Sequence, residues 1–119
     1  MMGLFSQIFN RPAINQVEPA QVQEMLQGSK RPFLLDVRTP EEYKQGHIRG
    51  AELIPLNELP AKNGRVPKDR EVVCVCATGS RSSTATRQLS AQGYKVSNLR
   101  GGMNRWRRLG LPIKSGMAK

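Results

Sequence analysis

Short apolar runs separated by segments with a helical period divide this chain into alternating strands and helices. Glu71-Val72-Val73-Cys74-Val75 is continuous and rich in valine, the composition of a strand covered on both faces. Phe33-Leu34-Leu35-Asp36-Val37 reads the same way, Glu52 to Ile54 as a short third strand, Lys95 to Leu99 as a last strand, and Ile14 to Val17 as an edge strand. Between them, Glu18-Pro19 opens a helix with Pro at its first position, Val22, Met25 and Leu26 mark its inner face, and Gly28 stops it. Thr39-Pro40-Glu41-Glu42 is a capping box that starts a second helix, which Gly46 closes. Leu56 and Leu59 predict a helical turn, and Ala61 to Asp69 a polar connection. Ala85 and Leu89 give a helical period ended by Gly93, with Ser82 or Ser83 as its cap. Met103 to Leu109 completes the set, stopped by Gly110 and Pro112. The alternation predicts an α/β fold with a largely parallel sheet.

A length of 119 residues is one domain, large enough for a core without disulfide staples. The ends read differently from the middle. Residues 1–13 are an N-terminal extension in which Leu4, Phe5, Ile8 and Phe9 share one helical face; at that length it is read as a docking helix or a frayed end rather than a membrane anchor. Residues 14–113 form the domain, and 114–119 read as a flexible basic tail. The two cysteines, Cys74 and Cys76, cannot bridge each other along a strand, which fits a reducing, cytoplasmic setting. With His47 as the single histidine, no metal and no cofactor are implied, and no apolar stretch is long enough to span a membrane.

The candidate chemistry lies where the valine run ends. After Cys76 come Ala77, Thr78, Gly79 and Ser80, then Arg81. Side chains this small let backbone N–H groups converge above the sulfur at the start of a helix. An ordinary thiol of pKa about 8.5 is only roughly 3% ionised at pH 7. Convergent amides, a helix N-terminus and Arg81 all favour the anion, so a lowered pKa is expected at Cys76. A persulfide formed on that sulfur would be held by the same donors. The competing reading is a buried structural cysteine at a strand end, and the composition of the loop favours the reactive one.

Charge sharpens this picture. The net charge is +10, and residues 60–119 carry thirteen Lys+Arg against two Asp+Glu, whereas residues 1–59 are nearly balanced. The positive half holds Cys76, so the field draws small anions or an acidic protein face toward the loop. Nucleic acid is the other partner a basic chain invites. With aromatics at 5% and no reader motif, it is not expected here.

Three segments together resemble the rhodanese-like family. Leu35-Asp36-Val37-Arg38, Glu41-Glu42-Tyr43, Gly46-His47-Ile48, Gly50-Ala51 and Ile54-Pro55 look like its first signature, the Cys76 loop like its active site, and Leu99 to Trp106 like its closing signature. The resemblance implies helices on both faces of a five-stranded, mainly parallel sheet, in three layers. It also implies sulfane sulfur transfer through a Cys76 persulfide, from thiosulfate or a persulfide donor to a thiol or cyanide acceptor, with thioredoxin or another acidic protein as a partner. Ala77 to Arg81 would bind the substrate. Asp36, Arg38, Ser82, Gly101, Gly102 and Trp106 would support the loop, with Trp106 packed beneath it.

Arg81 is read either as orienting the loop through carbonyls or as touching the substrate anion, and His47 as a turn residue rather than a general base. A thiolate that displaces a stable anion from sulfane sulfur needs no base. Ala77 stands where relatives that use thiosulfate well often carry a cationic or hydrogen-bonding side chain. Thiosulfate is therefore less expected as donor than a protein or small-molecule persulfide. A sulfur-carrier or docking role for a protein partner is the alternative. A cysteine phosphatase is disfavoured, because its loop has five residues between Cys and Arg, against the four here.

Overall fold

The computed structural model describes residues 13–119, so the amphipathic pattern in residues 1–10 lies outside the described residues. Strands β1 (Gln16–Val17), β2 (Phe33–Asp36), β3 (Glu52–Leu53), β4 (Val72–Val75) and β5 (Val96–Leu99) form one sheet in the order β1-β5-β4-β2-β3. Every neighbouring pair is parallel. The valine-rich β4 is the central strand, with Phe33 to Asp36 in register against Val72 to Val75 on one side and Val72 against Val96 on the other. All four of its residues are buried. That is why its sequence shows no polar alternation.

Among the described residues, five helices clothe the sheet: α1 (Pro19–Gln27), α2 (Pro40–Gln45), α3 (Leu59–Lys62), α4 (Ser80–Ala91) and α5 (Gly102–Arg108). Because successive strand residues point to opposite faces, β4 sends Cys74 and Cys76 to one side with Leu35, Val37 and Val96, where Leu59 of α3 and Ala85 and Leu89 of α4 cover them. Val73 and Val75 go to the other side, onto Val22 of α1, Tyr43 of α2, and Met103 and Trp106 of α5. Each large side chain buried this way contributes roughly 1.5–3 kcal/mol. The expected three-layer α/β architecture is the observed one.

The capping box at Thr39 is closed in both directions, with Glu42 N–H donating to Thr39 Oγ1 and Thr39 N–H donating to the Glu42 carboxylate. Two expectations are corrected. The connection from Ala61 to Asp69 is not wholly irregular, since α3 runs to Lys62, a 3₁₀ turn follows at Asn63–Arg65, and Val66 is buried in the core. Nor is the C-terminal tail loose. Lys114 and His47 exchange backbone hydrogen bonds, Gly116 N–H donates to Lys44 O at 2.7 Å, and Lys119 pairs with Glu52. The basic tail lies along the α2–β3 turn because that turn offers free carbonyls and an acceptor carboxylate. No helix among the described residues is long and apolar enough to cross a membrane.

Candidate active site

Cys76 follows the last residue of the central strand, at the carboxyl end of the sheet where open α/β folds place their ligands. The chain leaves β4 and enters α4 through Ala77, Thr78 and Gly79, and Gly79 adopts φ +102°, a left-handed turn that glycine alone makes without strain. The turn aims the first free amides of α4 back at the sulfur. Gly79 N–H donates to Cys76 Sγ at 3.1 Å, and the Ser82 hydroxyl lies 3.2 Å from the same atom.

The other half of the cradle is built by α5. Met103 N–H donates to Cys76 O at 2.8 Å and Asn104 N–H to Ala77 O at 3.0 Å. These bonds turn the loop carbonyls away from the thiol, so the loop amides face it. Gly102 makes the approach possible. A Cβ there would sit 2.4 Å from Cys76 O and 2.6 Å from Ala77 O, in backbone of φ +58°.

The electrostatics at Cys76 are a contest between burial and hydrogen bonds. Burial raises its pKa, but the Ser82 hydroxyl and the main-chain N–H groups of Ser82, Gly79 and Thr78 together outweigh it, and the net direction is down. Although the residue is fully covered and borders the apolar cluster under α4, its sulfur meets two hydrogen-bond donors. Cys74, two residues earlier on the same face, has no such cradle, and burial pushes its thiol up to about 12.

Arg81 is engaged by α2 rather than by a loop carbonyl. Its guanidinium grips the Glu42 carboxylate with two bonds, of 2.6 and 2.8 Å. That pairing holds Glu42 down at about 2, chiefly through the Arg81 hydrogen bond, and it ties the first turn of α4 to α2. Nor does Ser82 or Ser83 cap α4, whose N-cap is Gly79; the Ser82 hydroxyl is turned to the sulfur and the Ser83 hydroxyl to Gly79 O.

Asp36 and Arg38 form a buried pair, Nη2 to Oδ2 at 2.8 Å, and Arg38 also donates to Gly46 O. They brace the end of β2 against the turn after α2. His47 stacks on Tyr43, and its two ring nitrogens face Tyr43 O and Ala118 O. Neither nitrogen is directed at the loop. Trp106 of α5 is fully buried in the cluster that holds Val73, Val75 and Met103, and it donates to Pro112 O. Gly101 is the left-handed N-cap of α5. Thr78 adds its amide, and Ser80 begins α4.

Two cavities flank the loop. One of about 210 Å³ is lined by Ala77, Met103, Asn104 and Arg107 with Arg38, Glu42 and Gln45. The other, about 320 Å³, lies between Arg81, Arg38 and the Pro55–Asn57 segment. A larger cavity of about 650 Å³ at the opposite end of the sheet is ringed by exposed side chains such as Lys30, Arg70 and Lys95 and is lined by neither cysteine. Among the described residues, no three of His, Cys, Asp and Glu converge as a metal site.

The sequence reading missed Asn98 and Glu42 as site residues. Asn98 lies on β5 with its Cα opposite Cys74, and its amide meets Ser82. A polar residue at an inward position of a buried strand was the available signal.

Comparison with known proteins agrees with this geometry. The Rhodanese-like domain model matches residues 18–109. A sulfurtransferase of Allochromatium vinosum is 41% identical over 101 residues, covering 84% of this chain and 94% of that protein. A putative sulfur carrier protein of Bacillus subtilis, YrkF, is 32% identical over 82% of this chain and 53% of its own length. Among solved structures, a rhodanese-related protein from Thermoplasma volcanium superposes with a TM-score of 0.79 at 30% identity, covering 84% of this chain and 97% of that one. The chain is a member of the rhodanese-like domain family.

Proposed function

We propose that the protein is a sulfurtransferase in which Cys76 carries sulfane sulfur as a persulfide. The observation that carries this reading is the ring of donors, from Gly79, Ser82 and Thr78, closed around a single sulfur whose pKa is lowered despite burial. The Cys76 thiolate attacks the sulfane sulfur of the donor. The new bond joins Sγ to that sulfur, the donor S–S bond breaks, and its electron pair leaves with sulfite or a thiolate. An acceptor thiolate or cyanide then attacks the outer sulfur, and the Sγ–S bond breaks to restore Cys76. No proton has to move in either half, which agrees with a site whose only histidine is turned to backbone carbonyls.

The donor is a persulfide in preference to thiosulfate. Ala77 brings no charge to the 210 Å³ cavity, and Arg38 and Arg81 are engaged by Asp36 and Glu42. Arg107 is left facing that cavity, on a helix whose last turn also carries Arg105 and Arg108. This basic rim favours an acidic protein as donor or acceptor, thioredoxin-like or otherwise. A carrier role for one dedicated partner is the second reading, and the name of the B. subtilis relative favours it.

The test is incubation with thiosulfate, glutathione persulfide and a protein persulfide, followed by intact mass. A gain of one sulfur on Cys76 from the persulfides, with turnover to a free thiol, is the expected result. Loading only from one protein partner supports the carrier, and no loading from any donor overturns both. Ala77→Lys is expected to raise thiosulfate turnover severalfold by placing a cation beside the developing sulfite.

A further inference from the structure

Cys76, Ser82 and Asn98 form a buried chain of polar groups, ending on the exposed Gln16, that a thiol nucleophile does not require. Ser82 Oγ lies 3.2 Å from Cys76 Sγ and 2.5 Å from Asn98 Oδ1, while Asn98 Nδ2 donates to Gln16 Oε1 at 2.9 Å. Ser82 is fully buried and Asn98 is 2% exposed. A serine hydroxyl carries one hydrogen, and both Sγ and Oδ1 stand where it can be received.

We propose that Asn98 is a positioning residue for the sulfur chemistry: its Oδ1 competes with Cys76 Sγ for the single hydroxyl hydrogen of Ser82. This rests on the reading of Cys76 as the sulfur carrier. With Cys76 as a neutral thiol, S–H donates to Ser82 Oγ and the Ser82 O–H donates to Asn98 Oδ1, so the chain is satisfied. With Cys76 as a free thiolate, the Ser82 hydrogen turns to Sγ, and Asn98 Oδ1 loses that donor at a buried position. When the persulfide forms, the negative charge moves to the outer sulfur, where the loop amides hold it. Sγ no longer claims the hydroxyl, and Ser82 returns to Asn98. The chain thus opposes the empty anionic state and leaves the sulfur-loaded state satisfied.

Other charges around the sulfur do not duplicate this. Cys74 on the same strand keeps its proton, with its pKa at about 12, Arg81 of α4 is held by Glu42 of α2, Asp36 of β2 is paired with Arg38, and Arg107 of α5 lines the outer cavity.

The decisive measurement is the pH titration of the Cys76 thiolate by ultraviolet absorbance, which needs no sulfur substrate. Asn98→Leu removes the competing acceptor with little change in shape. The Cys76 midpoint is expected to move to lower pH, raising the thiolate fraction below the midpoint roughly tenfold, the factor one charge-assisted hydrogen bond commands. Asn98→Asp places a stronger acceptor at the same point and moves the midpoint to higher pH. In a Ser82→Ala background, Asn98→Leu has no effect. Opposite shifts from two folded variants, with the Leu shift dependent on Ser82, cannot come from general damage. Shifts of the same sign, or a Leu effect that survives without Ser82, overturn the proposal. Sulfur loading measured on the same proteins separates this outcome from failure of the transfer reading.

Discussion

Cys74 and Cys76 are the same side chain on the same face of the sheet, two residues apart, and they are opposite chemical objects. Cys74 lies inside the sheet among Leu35, Val72 and Val96, and burial pushes its thiol up to about 12. Cys76 is as fully covered but lies just past the strand, where the N-terminus of α4 supplies donors, and its pKa falls. Burial alone therefore does not decide reactivity. What decides it is whether the covering groups are methyls or amides.

The strongest break of this comparison is Cys76→Ala, which is expected to abolish sulfur loading in intact mass, whereas Cys74→Ala keeps it. Next is Gly102→Ala. Its Cβ, 2.4 Å from Cys76 O, pushes back the carbonyl that α5 holds. Strained backbone costs about 1–3 kcal/mol, so the melting temperature falls and Cys76 alkylation loses its low-pH reactivity, while Cys74 is unchanged.

The two thiols also predict opposite slopes of stability against pH. Cys76 is deprotonated more readily folded than unfolded, so it adds stability above the unfolded value near 9.0 and loses it as pH falls through its own lowered pKa. Cys74 keeps its proton when folded, so stability declines as pH rises from 9.0 toward about 12. Denaturant titrations of Cys74→Ala and Cys76→Ala across alkaline pH separate the two; slopes of the same sign in both variants would refute the contrast.

The smallest effect belongs to Glu42→Gln. The Glu42 carboxylate, held at about 2, stabilises the fold above its unfolded value of about 4.5, and this is lost as pH falls toward 2. About a third of each side chain is exposed, so solvent screening limits the loss to under about 1 kcal/mol. Acid unfolding should become correspondingly less steep in the variant.

Much of the fold was legible because its signals are local. The Val72–Val75 run, the Thr39–Glu42 capping box and the Pro19 helix start each depend on residues within a few positions of one another. The loop after Cys76 was legible for the same reason, since small residues between a strand and a helix leave few places for their amides to point. What was not legible was long-range. Arg81 finds Glu42 across 39 residues, and the His47 ring finds the tail across 71. A tail of small and basic residues reads as loose until the turn it lies against is known.

By itself, the order of residues determined which strand would be central and where the candidate nucleophile Cys76 would stand at its end, because hydrophobic period and turn chemistry act between neighbours. Only the tertiary structure decided which groups surround that sulfur. Ser82 meets Asn98 and α5 grips the loop carbonyls because parallel pairing of β4 with β5 brings the two closing helices to one end of the sheet.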